Sequence, residues 1–259
     1  MDQNELAARL ASLPIPEIRY VPTVGSTNDL AAEWAARGAP EFSLVVADEQ
    51  TAGRGRAGRQ WHTPPGAALA FSLVLRPQDQ PNLDIPRLTA LGSLAVCTAL
   101  IDDYALPAQI KWPNDVLVNG KKLCGVLVEA AWQAGSIKYA VLGTGVNVAA
   151  AAVPQGVSLA FPATDIESEL GQPVTRLELI GQVLEKLLLW HARLGSPEFL
   201  SAWKLHLAWM NMPVEVSIGS GAVFTGEIAG LGEHGALQLQ LNNQQVVEIE
   251  FGEVQLRPR

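Results

Sequence analysis

Apolar positions along the chain change period several times, and the changes divide it. Leu6, Leu10 and Leu13 recur at helical spacing over residues 5 to 13, and "EIRYV" then reads as a short strand. In "VGSTNDLAAEWAARGAP", Ser26 or Thr27 can cap an Ala-rich helix that Gly38 and Pro40 end, so "STN" sits at a helix N-terminus. "FSLVVADE" (42 to 49) is a buried-type strand running directly into a glycine loop, and "GAALAFSLVLRP" (66 to 77) is the next strand. A long apolar helix follows near 85 to 104. The β-rich runs "AQIKW", "DVLVNGKKLCGVLVEAAW" and "SIKYAVLGTGVNVA" come next, separated by "PND", "NGKK" and "AGS" turns, which predicts a mainly antiparallel meander. Residues 149 to 165 are rich in small residues with weak periodicity and read as a mobile surface loop. Amphipathic helices near 175 to 194 and 197 to 209 complete the larger unit. After "WMNMP" the pattern shortens to the alternating strands "VEVSIG", "AVFTGEIAGLGEHG", "ALQLQL" and "QVVEIEF", which predict a small β-barrel or sandwich beginning near Met212.

Composition narrows the classes. The 259 residues, 48% hydrophobic, suffice for one large core and a small second domain. A net charge of −8 argues against non-specific adhesion to nucleic acid or an anionic membrane. Yet of the 18 Lys and Arg residues, six fall in two short stretches: Arg54, Arg56 and Arg59 in one, Lys111, Lys121 and Lys122 in the other. Scarce cations gathered in this way suggest an anionic ligand. Cys97 and Cys124 fit neither a disulfide framework nor a metal spacing, His62 has no second ligand at metal spacing, and Cys124 reads as packing, with a nearby lysine able to lower its pKa. The N-terminus lacks the pattern of a secretory signal, and no stretch of about 18 apolar residues is evident; a reduced, cytoplasmic setting is expected.

"GRGRAGRQW" (53 to 61) spaces Gly53, Gly55 and Gly58 as in a dinucleotide fingerprint, but Pro64, Pro65 and Gly66 forbid the helix that should follow, and Asp79, at the separation of a ribose ligand, lies in a proline-flanked loop. No Gly-Lys-Ser/Thr is present for a phosphate loop of the other common kind. What is left is either a solvated basic loop or one whose guanidinium forks clamp an anion; three forks within six residues repel one another unless an anion is shared. In "KWPNDVLVNGKKLCGVLVE", Lys111 precedes a turn carrying Asn114 and Asp115, and its apolar strand context demands a partner for the ammonium. Lys121 and Lys122, after an Asn-Gly turn, also suit an ordinary hairpin tip. "GTGVN" (143 to 147) taken alone is a strand with a glycine bulge.

Together the motifs are more specific. "STN", "GRGRAGRQW", "KWPNDV", "KKLCGVLVE" and "GTGVN" stand in the order and spacing of the biotin protein ligases, which the chain resembles strongly over about residues 20 to 150. The resemblance implies an α+β fold: a mixed, mainly antiparallel sheet with helices, of class II synthetase type, over residues 1–211, and an SH3-like β-barrel over 212–259. It implies a reaction in which biotin and ATP give biotinyl-5′-AMP, with Mg²⁺ as helper, followed by transfer of biotin to one lysine of a biotin carboxyl carrier domain. By resemblance Ser26, Thr27, Asn28, Gln50, Gly53 and Arg54 surround the biotin head, and Ser72, Gly125 and Gly145 line the slot. Arg56 and Lys122 face the reacting carboxylate and phosphate as catalytic groups, with Lys111 beside them. Arg59, Trp61, Asn114 and Asn147 fall on the ATP side, Trp61 as support for the loop rather than as a catalyst, and Asp115 is the candidate Mg²⁺ ligand.

The 20 or so residues before the first strand are too few for the winged helix-turn-helix of some members, so no DNA binding is expected; no membrane association is expected either, and the oligomeric state is open between monomer and homodimer. Two rivals stand beside this reading. A lipoate ligase of the same fold lacks the triple-Arg loop, and an RNA- or protein-binding module is disfavoured by the acidic net charge and the lack of interleaved exposed aromatics.

Overall fold

Capping and turn chemistry set the ends of the elements. The structure, a computed structural model, describes residues 1–77, 84–156, 159, 161–219, 221–250 and 254–258; Asp79 lies outside the described residues. In chain order the elements are α1 (Gln3–Arg9), β1 (Ile18–Val24), α2 (Thr27–Ala36), β2 (Leu44–Gln50), β3 (Ala68–Leu75), α3 (Ile85–Tyr104), β4 (Ala108–Lys111), β5 (Asp115–Val118), β6 (Lys121–Gln133), β7 (Ser136–Asn147), α4 (Ile166–Leu170), α5 (Arg176–His191) and α6 (Pro197–Leu205). The second sheet comprises β8 (Pro213–Ile218), β9 (Val223–Leu231), β10 (Leu237–Leu241), β11 (Val246–Ile249) and β12 (Val254–Pro258). Asp2 and Glu5 form a reciprocal capping box on α1, which ends earlier than the leucine spacing predicts because Pro14 and Pro16 follow closely. The Asn119-Gly120 and Ala134-Gly135 turns have both central residues at positive φ, the geometry that matches strand twist in two-residue hairpins.

The large sheet has the order β1-β2-β3-β7-β6-β5-β4; β1 and β2 run parallel and every other neighbour antiparallel. One face carries α3 and α5, with Gly92 of α3 close to Val126 and Leu142. By length and composition α3 is long and apolar enough to cross a membrane, contrary to the expectation that no such stretch occurs; here it is a core helix whose residues Leu88 to Leu100 are buried. The other face carries α2, where Ala31, Trp34 and Ala35 pack on Val45, Val74 and Val141.

Register decides which residues share that second face. A single cross-strand row runs Lys111, Asp115, Gly125, Gly145, Ala70, Ala47. Two residues along, Leu127, Gly143 and Ser72 form the next row. The β6 strand bulges between its pairings with Val116 and Leu117, leaving Leu123 without an opposite residue. That extra residue puts Lys122 on the same side as Gly125, which an unbroken strand three residues apart would forbid.

The second sheet is antiparallel, in the order β11-β10-β9-β8-β12, with β12 unanticipated by the alternation pattern. It docks on the first unit through the β9–β10 turn: Trp112 Nε1 donates to Gly235 O at 3.0 Å, and Arg87 Nη2 to Glu233 O at 3.0 Å. The described residues between 149 and 165 are tied to the rest of the fold where a structureless surface loop is expected. A helical turn occupies Ala150–Ala152, Lys122 N donates to Pro162 O at 2.7 Å, Thr164 N donates to Lys122 O at 2.9 Å, and Asp165 caps α4. Weak periodicity concealed these because each is a single-residue interaction, not a repeating one.

Leu91 is fully buried in α3, within the main hydrophobic core. Leu91→Ala is expected to lower unfolding free energy by about 2–5 kcal/mol. Urea unfolding checks this through a lower midpoint at unchanged slope.

Candidate active site

Above the row of small residues lies a cavity of about 820 Å³, within the usual size of small-ligand sites. Ser26, Thr27, Asn28 and Gln50 line one end, the 53–61 loop covers the middle, and Lys111, Asn114, Asp115, Lys122 and Asn147 line the rest, with Gly125 and Gly145 as floor. Two widely separated cation clusters of the sequence thus share one space.

At the charged end, Asp115 is wedged between two ammonium groups. Lys122 Nζ is 2.6 Å from Asp115 Oδ1, an ion-pair contact rather than a well-directed hydrogen bond, and Lys111 Nζ is 3.4 Å from Oδ2. Burial alone would raise the Asp115 pKa, but Lys122 and Lys111 overcome it and hold the carboxyl below the usual range. Lys111 goes the other way: burial, aided by Lys122 and Arg59, pulls its pKa below the ordinary lysine value although Asp115 opposes this. The Phe161 ring lies 4.6 Å from Lys111 Nζ and gives the ammonium a second favourable neighbour. Arg56 Nη1 donates to Asn114 Oδ1 at 3.2 Å, and Asn114 Nδ2 donates to Val126 O at 3.0 Å, so the amide fixes the guanidinium against the sheet.

The expectation that Asp115 holds Mg²⁺ is not supported. Both of its oxygens already face lysines, and no group of three or more His, Cys, Asp or Glu among the described residues has metal-binding geometry, His62 included. The sequence showed one carboxylate between lysines without showing that both lysines reach it.

The polar end is built by α2 and β2. Ser26 holds the N-cap position of α2 without a capping bond from its side chain, and it lines the cavity. Gln50 Oε1 accepts from Thr27 N at 2.8 Å and Thr27 Oγ1 at 3.0 Å, while Gln50 Nε2 donates to Thr63 Oγ1 at 3.1 Å. Ser72, expected to line the slot, lies one layer behind it: it is fully buried, and its hydroxyl donates to Asn28 Oδ1 at 2.7 Å and lies 2.8 Å from Thr27 Oγ1. Asn28 Nδ2 in turn donates to Glu129 Oε2 at 2.6 Å.

The 53–61 loop is a tight hairpin rather than a strand-to-helix turn. Trp61 N donates to Gly53 O at 2.9 Å and Gly55 N to Arg59 O at 2.7 Å, around a turn with Ala57 and Gly58 at positive φ. A Cβ on Gly53 would stand 2.5 Å from Trp61 O, so the close crossing requires glycine. Arg54 is not an open anion receptor. Its guanidinium forks onto Asp29 at 2.7 and 2.6 Å and reaches Glu129 at 3.2 Å, and Asp29 foremost raises its pKa. Neither Asp29 nor Glu129 was singled out in the sequence; their positions on one helix turn and one strand face become significant only once the sheet is assembled.

Trp61 lies flat on the floor. A Cβ on Gly145 would collide with its indole, and one on Gly125 would stand 3.2 Å from the ring. Its Nε1 is buried with no hydrogen-bond partner among the described residues. The glycine bulge that "GTGVN" would suggest if it stood alone is not there: β7 keeps continuous register from Ala140 to Asn147, and its glycines serve close approach, Gly143 beneath Asn28 and Gly145 beneath Trp61. Asn147 shares this face and donates from Nδ2 to Thr164 O at 3.0 Å. Cys124 is packed in the core, as its sequence context suggests, and burial pushes its thiol pKa up although Lys122 nearby opposes this.

Known proteins agree with this geometry. The Biotin/lipoate A/B protein ligase family matches residues 20–147, and the Biotin protein ligase C terminal domain matches 211–257. The chain is similar to the biotin–[acetyl-CoA-carboxylase] ligase of Paracoccus denitrificans, 35% identical over 224 residues that cover 83% of this chain and 90% of the relative. It is 33% identical to the bifunctional ligase/repressor BirA of Bacillus subtilis, over 86% of this chain and 69% of that one. Among solved structures, the biotin protein ligase of Aquifex aeolicus in complex with biotin and ATP superposes with a TM-score of 0.81 at 28% identity, covering 94% of this chain and 100% of the other.

The folded chain holds the Lys111 proton less tightly than the unfolded chain, so unfolding takes up a proton between the depressed value and 10.5, and stability rises with pH across that window. Asp115→Asn removes the carboxylate that opposes the depression. The Lys111 midpoint, followed by ¹³Cε NMR, is expected below 10.5 in the native chain and lower still in the variant; an unmoved midpoint would refute the pairing.

Proposed function

The chain belongs to the biotin/lipoate A/B protein ligase family, and from that membership and the charge of its cleft we propose the reaction it runs. It activates biotin with ATP as biotinyl-5′-AMP and transfers the biotinyl group to one lysine of a biotin carboxyl carrier domain. The observation that carries this reading is the convergence of Arg56, Arg59, Lys111 and Lys122 on one cavity whose lining offers a single carboxylate, Asp115. In the first step a carboxylate oxygen of biotin attacks the α-phosphorus of ATP, the new oxygen–phosphorus bond forms, and pyrophosphate leaves with the electrons of the broken one. Two anions must meet, and fixed positive charge in a partly water-excluded cleft lowers the cost of that approach. Arg56, oriented by Asn114, and Lys122, oriented by Asp115, stand nearest to where that charge develops. In the second step the acceptor lysine amine attacks the carbonyl carbon of the mixed anhydride, AMP leaves, and the amine sheds a proton. The anhydride is already activated, so orientation of the amine carries this step.

Selectivity belongs to the other end. A ureido ring needs a donor and acceptor array such as Ser26, Thr27 and Gln50 supply, whereas the dithiolane ring of lipoate pairs with none of it; buried polar groups left unpaired penalise the wrong acid. With Asp115 held by two lysines, the residues present do not form a protein-held Mg²⁺ site, and none of these steps relies on one.

Incubation with ATP, biotin and a carrier domain, followed by intact mass analysis, tests the proposal: the carrier gains one biotinyl group, and lipoate in place of biotin gives no product. Arg56→Ala and Lys122→Ala should each slow pyrophosphate release by about a hundredfold with melting temperature nearly unchanged. The double variant should lose less than the product of the two, because both groups act on one transition state. Unaltered release rates would refute their roles.

A further inference from the structure

We infer that Glu169, a residue outside the cavity, is the positioning residue for the nucleotide side of the cleft, because it ties the 162–164 segment to the hairpin from which Lys122 projects. The inference rests on the proposed reaction for its consequence and on geometry alone for its structure. Glu169 is a single carboxylate with three donors from two parts of the chain. Thr164 Oγ1 donates to Oε1 at 2.6 Å, Lys121 Nζ to Oε1 at 3.1 Å, and Asn119 Nδ2 to Oε2 at 2.7 Å. Its side chain is 9% exposed. Burial works against the charged form, but the donors from Thr164, Asn119 and Lys121 hold the carboxyl below the usual glutamate range.

Asn119 and Lys121 flank the β5–β6 turn, and Thr164 belongs to the crossover from β7 to α4. The carboxylate therefore closes a ring whose other side is made by two backbone bonds, Lys122 N to Pro162 O and Thr164 N to Lys122 O. Two bonds are a very short ladder, too short to be held by pairing alone. Asn147 adds to the same ring by donating to Thr164 O. Lys122, assigned above to the reacting phosphate, and Asn147, placed on the ATP side, thus take their positions from a segment that Glu169 fixes. The Ser26–Gln50 cradle makes no hydrogen bond to that segment among the described residues and is carried by α2 and β2. A brace of this kind separates the two substrates: its loss disturbs the nucleotide side and spares the biotin head.

Amide hydrogen exchange on the ligand-free full chain, combined with substrate constants, tests this. In Glu169→Ala the Lys122 and Thr164 amides are expected to exchange about tenfold faster or more, while those of Gly145 and Val146 keep the native rate. KM for ATP should rise about fivefold or more, with the Kd of biotin, titrated without nucleotide, within about twofold of native. Thr164→Val, which removes one donor and leaves the α4 cap intact, should shift the same quantities in the same direction by a smaller factor, and Glu169→Gln should recover part of the loss. Unchanged exchange at Lys122 and Thr164, or equal loss of biotin and ATP binding, overturns the inference. The exchange result is read without substrates, so a native chain that formed no biotinyl adenylate would count against the proposed reaction and not against the brace.

Discussion

Everything in the cleft depends on an uneven charge balance: one buried carboxylate, Asp115, between two ammonium groups, with two guanidinium groups on the loop above. A buried ion pair contributes little net stability, since desolvation offsets most of its attraction. An excess of cations is worse still: burial foremost depresses the Lys111 pKa, and Lys122 and Arg59 add to the depression against the opposing Asp115. A fold tolerates such a cluster only where rigid elements force it, and here they do. Lys111 and Asp115 are register partners on β4 and β5, and Lys122 is brought to them by the bulge at Leu123. The repulsion that weakens the ligand-free protein is the same repulsion that a bound polyanion relieves.

The sheet also explains why the glycines are where they are. On β6 and β7, Gly125, Gly143 and Gly145 all face the cleft, and the residues between them face the α3 side. Side chains at these positions would fill the slot or displace Asn28 and Trp61, so what reads as backbone freedom in the sequence is vacated volume in the fold. None of the three has positive φ, which removes the conformational explanation and leaves the steric one.

Local chemistry was legible and cross-strand chemistry was not. The Asn-Gly hairpin, the α3 helix and the need of Lys111 for a partner all follow from neighbours within four residues in the chain, and the structure contains each; "STN" does open α2, but with Ser26 at the N-cap position and no side-chain cap bond. The depth of Ser72, the double pairing of Asp115 and the capture of Arg54 by Asp29 and Glu129 depend on which strand lies next to which, and in what register. The bulge at Leu123 is the sharpest case. "KKLCGVLVE" contains nothing to show that strict alternation fails between Lys122 and Gly125, yet the placement of Lys122 in the cleft depends on it. The five ordered motifs compensated through family resemblance, which carries register information that periodicity lacks.

The two ends of the cavity differ in how well they are satisfied without ligand, and the difference matches the two tasks. At the polar end Gln50, Thr27, Asn28 and Ser72 are bonded to one another, and Arg54 is clamped across α2, the loop and β6. Such a network holds its donors and acceptors at fixed angles, so recognition there is preorganised and a ligand lacking the matching groups gains nothing by displacing it. At the charged end the cations outnumber their partner, and the Trp61 N–H has none among the described residues. Groups left in that state stabilise whatever negative charge arrives and stabilise more as it grows, which is the requirement for lowering a barrier rather than tightening a ground state. A satisfied end that selects and a frustrated end that reacts can share one sheet face because the row of small residues between them keeps the two networks from neutralising each other.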